Sequence, residues 1–529
     1  MAPPAEAGLD RITIQKTQGN RPMKIVGTTA LAGALLAASF ALAPAPALAG
    51  KADDTLNAAF ALEPEALDTY KIAGREGLIL ARHIYDGLLY KDLDTGEIKP
   101  ALAKAWRFVD PTTMEFDLRE GVTFHNGAKF TADDVVYTLT TVLDPAYGTR
   151  FRIAVDWIDK VEKVSDFQVR IKMAKPFAGA VEMLADALPI YPAAYFKEVG
   201  SAGMAAKPVG TGPYKLTEMT PGIRYAFERF DGHYAGSPKG KPAIGKIVVR
   251  TIPELNTQYA ELMAGKLDWT WRIPPDQAAR LASRVQIVNG PIMRISYVGM
   301  TVTGKGKDYP TKNLKVRQAI NHAVNREAIV KAFAGGASQV LNAACNPKQF
   351  GCAQDVTKYA YDPAKAKALL TEAGFANGVD IEMVFAAMPR PVAEAIASDL
   401  GKAGIRVTLN EQQYAAGVQK WRAGELPTFF TNWGSYGTGD VAFIISNFFG
   451  GGADDLVQDK EVIELVNAAD TSQDRALREA NYAKALKKIA DQAYWLPMYD
   501  FNINYGLSQQ LTFKPHPDEF ARWWLSSWK

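Results

Sequence analysis

The chain has 529 residues, of which 48% are hydrophobic, and a formal net charge of +3. This length and apolar fraction are enough for a large core and indicate roughly two to four domains. Basic and acidic residues are nearly balanced, at 60 and 57. The charge therefore gives no reason to expect a nucleic-acid partner.

The N-terminus has the features of an export signal. A basic segment precedes an apolar run at 25–43, and residues 47–49 (Ala-Leu-Ala) fit the small-x-small rule for cleavage. We therefore expect residues 1–49 to be an N-terminal extension and signal peptide, with the signal itself at 23–49. A membrane anchor is the alternative interpretation. No cysteine lies near Ala49, which disfavours a lipid anchor.

The most informative stretch of the chain is 101–139. Within it, residues 114–118 alternate apolar and polar side chains, which predicts a strand with one buried face. Thr131 is a candidate helix N-cap, and Asp134, three residues later, can complete a capping box. The segment therefore predicts a strand, a turn and a capped helix.

The other predicted elements alternate between strands and helices. A strand–helix–strand order late in the chain indicates a mainly parallel α/β sheet. In chain order they are a strand at 55–60, a helix at 74–89, a strand at 167–173, a helix through Val181 and Leu184, a strand at 246–252, a helix at 259–264, two helices within 315–336 with Asn325 capping the second, a helix that Asp362 caps and Gly374 closes, a strand at 381–386, a helix at 391–403 and a strand at 405–409.

The chain has two cysteines, Cys345 and Cys352. An oxidising compartment permits a disulfide between them, and the short loop that separates them contains Pro347 and Gly351, which makes closure easy. The C-x6-C spacing fits known zinc patterns poorly. We predict a disulfide, with a pair of free thiols as the alternative.

The sequence contains no recognisable catalytic or metal-binding motif. Its five histidines are not at metal-ligand spacings, and Gly434-Ser435 is followed by Tyr436 instead of completing a nucleophile elbow. We predict no catalytic residue, no metal site and no cofactor.

Three groups of residues are candidates for contact with a ligand. Trp269 and Trp271 can stack on a solute, although on a strand they would share one face and fit a core equally well. Arg390 lies between two prolines and can pair with a carboxylate, or it can be a solvated loop residue. In the glycine-rich loop 432–440, Trp433 and Tyr436 can line a pocket.

The segment 101–139 resembles the signature of the peptide- and nickel-type solute-binding proteins that serve ABC importers. Further similarity lies at 208–214, 312–336 and 359–375, and the resemblance runs from about Thr55 to the C-terminus. The residues at the family's spacings in the signature are Leu102, Ala103, Trp106, Phe116, Leu118, Arg119, Gly121, Val122, Phe124, His125, Gly127, Phe130, Thr131, Ala132, Asp134 and Val135.

The resemblance implies an α/β protein with the two-lobed periplasmic-binding-protein fold of type II, the Venus-flytrap fold, with an extra subdomain inserted in lobe I. Lobe I is expected at 50–92, 208–292 and 497–529. The inserted subdomain is expected at 93–207 and lobe II at 293–496.

The resemblance also implies a function. A monomer in the periplasm would capture a small solute, most commonly a peptide or peptide-like compound, and deliver it to the permease of an ABC importer. The loops with Trp269 and Trp433 would lie at the cleft. Peptide-binding members place an Asp three residues after the Trp, to pair with the peptide's amino group, whereas this chain has Tyr436 there. This difference argues against a ligand with a free amine, unless Asp440 substitutes.

Two alternatives remain open at this point. The solute can be an opine, an oligosaccharide or a nickel chelate. The same scaffold can also belong to a periplasmic hydrolase or a chaperone-like protein.

Overall fold

The computed structural model describes residues 50–64, 66–72, 74–303, 307–335 and 337–529. The predicted extension and signal peptide lie outside these residues. Within the described part of the chain, no helix combines the length and apolar character needed to cross a membrane.

The strands form one ten-stranded sheet, one four-stranded sheet and two ribbons of two strands. They are β1 (Thr55–Phe60), β2 (Leu89–Lys91), β3 (Ile98–Pro100), β4 (Ala103–Asp110), β5 (Thr113–Leu118), β6 (Ile158–Ser165), β7 (Gln168–Met173), β8 (Tyr214–Thr220), β9 (Arg224–Arg229), β10 (Lys246–Thr251), β11 (Trp269–Thr270), β12 (Gln286–Met300), β13 (Val379–Phe385), β14 (Ile405–Glu411), β15 (Thr428–Trp433), β16 (Trp495–Leu507), β17 (Leu511–Thr512) and β18 (Ser527–Trp528).

The helices lie mostly between these strands. They are α1 (Arg75–Ile84), α2 (Ala132–Leu143), α3 (Ala180–Asp186), α4 (Ala193–Ala206), α5 (Leu255–Met263), α6 (Pro275–Leu281), α7 (Leu314–Ala323), α8 (Arg326–Ile329), α9 (Pro363–Glu372), α10 (Arg390–Lys402), α11 (Tyr414–Arg422), α12 (Ala442–Phe449), α13 (Lys460–Asp470) and α14 (Arg475–Asp491).

Capping side chains set several helix ends where the sequence predicted them. The Thr131 backbone N–H donates to the Asp134 carboxylate over 2.8 Å, which forms half of the capping box at the start of α2. Asn325 accepts from the Ala328 amide at the start of α8, and Asp362 accepts from the Lys365 amide at the start of α9. These predictions are confirmed because a cap is a local hydrogen bond between residues close in sequence.

Helix α1 is shorter than the predicted helix at 74–89, because the chain leaves it early to pair elsewhere. After α1 the backbone is extended, and Gly87 forms an isolated antiparallel bridge with Pro189. A Cβ on Gly87 would lie 2.7 Å from the Leu184 carbonyl oxygen, so only glycine permits this approach.

The ten-stranded sheet has the order β14-β13-β15-β12-β16-β11-β1-β10-β9-β8. Strand β13 pairs in parallel with β14 and β15, which confirms the parallel arrangement predicted for the strand–helix–strand segment. Strand β1 pairs in parallel with β10 and β11. The long strands β12 and β16 pair antiparallel with each other and join the two parallel groups. A separate antiparallel sheet, β4-β5-β7-β6, packs against α2.

The β12–β16 ladder is interrupted near its middle. Ile292 pairs with Phe501 and Ile295 pairs with Asp500, so Met293 and Arg294 are inserted without partners in β16. The Met293 amide donates instead to the Pro517 carbonyl over 2.7 Å. Such a bulge redirects the side chains of the extra residues.

The C-terminal segment, residues 516–524, is fixed to α1 by His83. The His83 Nδ1 donates to the Ile79 carbonyl over 2.8 Å, and its Nε2 accepts from the Trp523 amide over 3.1 Å. This arrangement requires a neutral imidazole, and burial lowers the pKa of His83 to about 3. A neutral, buried histidine therefore holds the chain terminus in place.

Cys345 and Cys352 form a disulfide in this structure, with Cα atoms 5.8 Å apart. Their loop lies against the segment that contains Asp440, because the Phe350 amide donates to the Gly439 carbonyl over 2.9 Å. Asp440 is 1% exposed. It pairs with Arg478 of α14 over 2.7 Å, and it accepts from the Ala442 amide at the start of α12.

We predict that Arg478→Ala lowers the free energy of unfolding by about 3–5 kcal/mol, because it leaves the Asp440 carboxylate buried without its counter-charge. Urea-induced unfolding measures this change. Arg475→Ala is the matched control on the same helix, because its side chain is 70% exposed. We expect the control to cost about 1 kcal/mol or less. Equal losses in the two variants would contradict the structural role of the pair.

We also predict that acidification destabilises the protein. Burial lowers the pKa of His83 to about 3 and the pKa values of His125 and His516 to about 4, from an ordinary value of 6.5. The unfolded chain therefore binds protons first, so this stability is present above about pH 6.5 and is lost as the pH falls towards 4. His83→Gln should reduce the slope of unfolding free energy against pH by about 1.4 kcal/mol per unit. Urea titrations at several pH values test this, and an unchanged slope would refute it.

Candidate functional site

A cavity of about 620 Å³ is lined by residues from both sides of the β12–β16 strand pair. This volume is in the range of small-molecule binding sites. One side of the wall comes from α1, from the loops at 69–72, 149–154 and 185–189, and from the C-terminal segment. The other side consists of Arg294, Ala387, Tyr414, Asn432, Trp433 and Gly434.

Helix α1 presents one face to the cavity. Arg75, Leu78 and Arg82 line it and follow the spacing i, i+3 and i+7, which places them on one side of a helix. The guanidinium groups of Arg75 and Arg82 lie 4.6 and 4.0 Å from the centre of the Phe520 ring. These cation–π contacts hold both arginines at the cavity wall.

Several guanidinium groups converge on Glu519, whose side chain is 5% exposed. Its oxygens lie 3.2 Å from Arg294, 3.8 Å from Arg75 and 3.9 Å from Arg272. Arg294 also donates to the Asn432 side chain over 2.7 Å. Arg294 therefore connects β15, on one side of the cavity, with the C-terminal segment on the other.

Two further cations at the wall have carboxylates of their own. Lys239 lies 2.8 Å from Asp86. Burial acts to raise the pKa of Asp86, but Lys239 and His233 together outweigh it and hold the pKa below its usual range. Arg522 pairs with both oxygens of Asp518 over 2.8 and 2.6 Å. Although burial opposes ionisation, Arg522 holds the pKa of Asp518 at about 2. Both carboxylates are therefore ionised and paired.

The glycine-rich segment 432–440, which begins at the end of β15, contributes one of its predicted contact residues to the cavity. Trp433 lines it, and its Nε1 donates to the Phe443 carbonyl over 3.0 Å. The backbone of Tyr436 lies in a short helical turn at Ser435–Gly437, whereas its side chain lies outside the described structure. Asp440 points into the core, towards Arg478. Contact of Asp440 with a ligand amine stays a prediction.

Trp269, Trp271 and Arg390 are not among the residues that line this cavity, and their contact with a ligand stays a prediction. Trp269 is 0% exposed, and its ring packs 5.3 Å from that of Trp523. Trp271 is 3% exposed and packs 6.0 Å from Phe60. Both tryptophans are core residues in this structure. This is the alternative that their predicted position on one face of a strand left open.

Arg390 is the first residue of α10, and its guanidinium lies 3.0 Å from the Glu411 carboxylate on the exposed surface. The two flanking prolines start a helix instead of shaping a binding loop.

Sequence reasoning missed all five arginines that line the described wall. Arg75 and Arg82 carried a usable signal, because a seven-residue spacing on a predicted helix places them on one face. Arg150 and Arg294 carried no such sequence signal, because Arg150 lies in a loop and Arg294 lies in the β12 bulge.

The family model for bacterial extracellular solute-binding proteins, family 5 Middle, matches residues 97–455. The heme-binding protein A of Haemophilus influenzae is 28% identical over 455 residues, covering 79% of this chain and 82% of that protein. The glutathione-binding protein GsiB of Pectobacterium atrosepticum is 30% identical over 479 residues, covering 86% of this chain and 90% of that protein.

Solved structures have the same fold. HbpA2 from Haemophilus parasuis has a TM-score of 0.80 at 24% identity, covering 90% of this chain and 100% of that one. NikA from Brucella suis, in complex with Fe(III)-EDTA, has a TM-score of 0.78 at 25% identity, covering 90% of this chain and 100% of that one. The two-lobed α/β fold that the sequence predicted is thereby confirmed, and the chain belongs to the bacterial extracellular solute-binding proteins of family 5.

Proposed function

We propose that this protein captures a small peptide or peptide-like solute in the cavity and delivers it to the permease of an ABC importer. The observation that supports this most directly is a cavity of about 620 Å³ with lining residues on both sides of the β12–β16 strand pair. Relatives named glutathione-binding and dipeptide-binding proteins align with most of the chain. These relatives are named as binding proteins, so we propose no catalytic step.

The composition of the wall suits such a solute. Aromatic side chains such as Tyr85, Tyr414 and Trp433 offer apolar faces, and arginines offer paired N–H donors. A solute that touches both sides of the wall gains all of its contacts only when the lobes are closed. Binding therefore shifts the population towards the closed form, which can present a distinct surface to the permease.

Export through a cleaved signal at 23–49 is part of this proposal. We expect the mature protein, isolated from the periplasm of its native host, to begin at Gly50. N-terminal sequencing and intact mass measure this directly. A membrane-bound protein that retains the apolar run at 25–43 would instead support the anchor interpretation.

We propose that the mature protein acts as a monomer.

We predict that Tyr414→Ala weakens solute binding by about 5- to 10-fold, because it removes an aromatic face worth about 1 kcal/mol from the wall. Mass spectrometry of co-purified compounds identifies the solute, and calorimetry measures its affinity. Tyr361→Ala is the matched control, because both tyrosines are 41% exposed but Tyr361 lies away from the cavity.

In the wild-type protein, solute at one hundred times its dissociation constant should add about 2.7 kcal/mol to the free energy of unfolding. The proposed function would be contradicted if Tyr414→Ala and Tyr361→Ala changed solute affinity equally. It would also be contradicted if no compound from a broad panel of peptides, opines, sugars and chelates stabilised the wild-type protein.

A further inference from the structure

Hydrogen bonds join three loops on one side of the cavity wall. We use the name wall loops for the segments 69–72, 149–154 and 185–189. The Arg150 amide donates to the Tyr70 carbonyl over 2.8 Å, and the Tyr70 hydroxyl donates to the Pro189 carbonyl over 2.6 Å. Each of these three residues lines the cavity and lies in a different wall loop. Tyr70 is therefore the point at which the three wall loops meet.

Asp68 immediately precedes the first wall loop, and it is 0% exposed. Its carboxylate accepts hydrogen bonds from one amide and three hydroxyls. The donors are the Tyr70 amide and the hydroxyls of Tyr147, Tyr191 and Ser201. Tyr147 precedes the second wall loop and Tyr191 follows the third, so the contacts of this one carboxylate reach all three wall loops.

Tyr191 completes the connection. Its hydroxyl donates to Asp68 over 3.0 Å and accepts from the Thr69 amide over 2.8 Å, and its ring packs 5.4 Å from that of Tyr70. Burial and the neighbouring Asp68 carboxylate raise the pKa of Tyr147, so the Tyr147 hydroxyl stays protonated and remains a donor. Such a fully bonded buried polar group favours one arrangement of the segments that supply its donors.

We propose that Asp68 and Tyr191 are positioning residues for solute capture, because they hold the wall loops in the arrangement that the solute contacts. Neither residue is among those that line the cavity. This inference rests on the proposed function and identifies residues that act on the solute through the wall. With these contacts intact, the wall is ordered before the solute arrives. Without them, fewer molecules have a competent wall, and the apparent affinity falls in proportion to that fraction.

A pair of matched substitutions tests this inference. Tyr191→Phe removes the bridging hydroxyl and keeps the ring. Tyr214→Phe is the control, because Tyr214 is also 0% exposed and its hydroxyl donates to the Ile244 carbonyl over 2.7 Å, but it does not line the cavity. Urea-induced unfolding should show a loss of stability in both variants, because each leaves a buried polar group without its partner. Only Tyr191→Phe should weaken solute binding, by about 10-fold. Asp68→Asn tests the carboxylate in the same way.

Binding kinetics separate a positioning role from a direct contact. The probe is the compound from the panel of peptides, opines, sugars and chelates that raises the melting temperature of the wild-type protein most. Trp433 and Trp524 line the cavity, so stopped-flow tryptophan fluorescence follows its binding. A wall that is competent less often slows association and leaves dissociation unchanged. We therefore expect Tyr191→Phe and Asp68→Asn to slow association about 10-fold. Tyr414→Ala removes a direct contact and should instead speed dissociation.

The possible outcomes separate this inference from the proposed function. Unchanged association in Tyr191→Phe, or equally slow association in Tyr214→Phe, would overturn the inference and leave solute capture standing. Faster dissociation of Tyr191→Phe at an unchanged association rate would also overturn it, because this is the result of losing a direct contact. If Asp68→Asn does not fold, Tyr191→Phe decides. If no compound of the panel binds the wild-type protein, the proposed function fails and this inference fails with it.

Discussion

The pairing of β12 with β16 is the constraint on which the rest of the molecule depends. These two antiparallel strands join the parallel strands on either side into one ten-stranded sheet. Their ladder breaks where Met293 and Arg294 are inserted, and Arg294 lines the cavity. The bulge frees the Arg294 side chain to reach Glu519 and Asn432. The strand pair that joins the two parallel groups of the sheet therefore also contributes to the cavity wall.

The C-terminal segment is part of the binding site, because buried contacts fix it at several points. The Met293 amide in the bulge donates to the Pro517 carbonyl, and His83 of α1 accepts from the Trp523 amide. Between these points, Glu519 and Phe520 face the arginines of α1. Any shift of the bulge relative to α1 must therefore move this segment, which carries part of the cavity wall.

The sequence predicted features that depend on residues close together in the chain, such as helix caps. It did not predict side-chain positions that depend on residues far apart in the chain. The caps at Thr131 and Asn325 were predictable because their partners lie three residues away. The role of Asp440 was not, because Arg478, which draws it into the core, lies 38 residues further along the chain. Trp269 fitted both a cleft and a core, and only the packing of Trp523 on its ring decides between them. The family and the fold were recognisable because the signature segment combines many such local features.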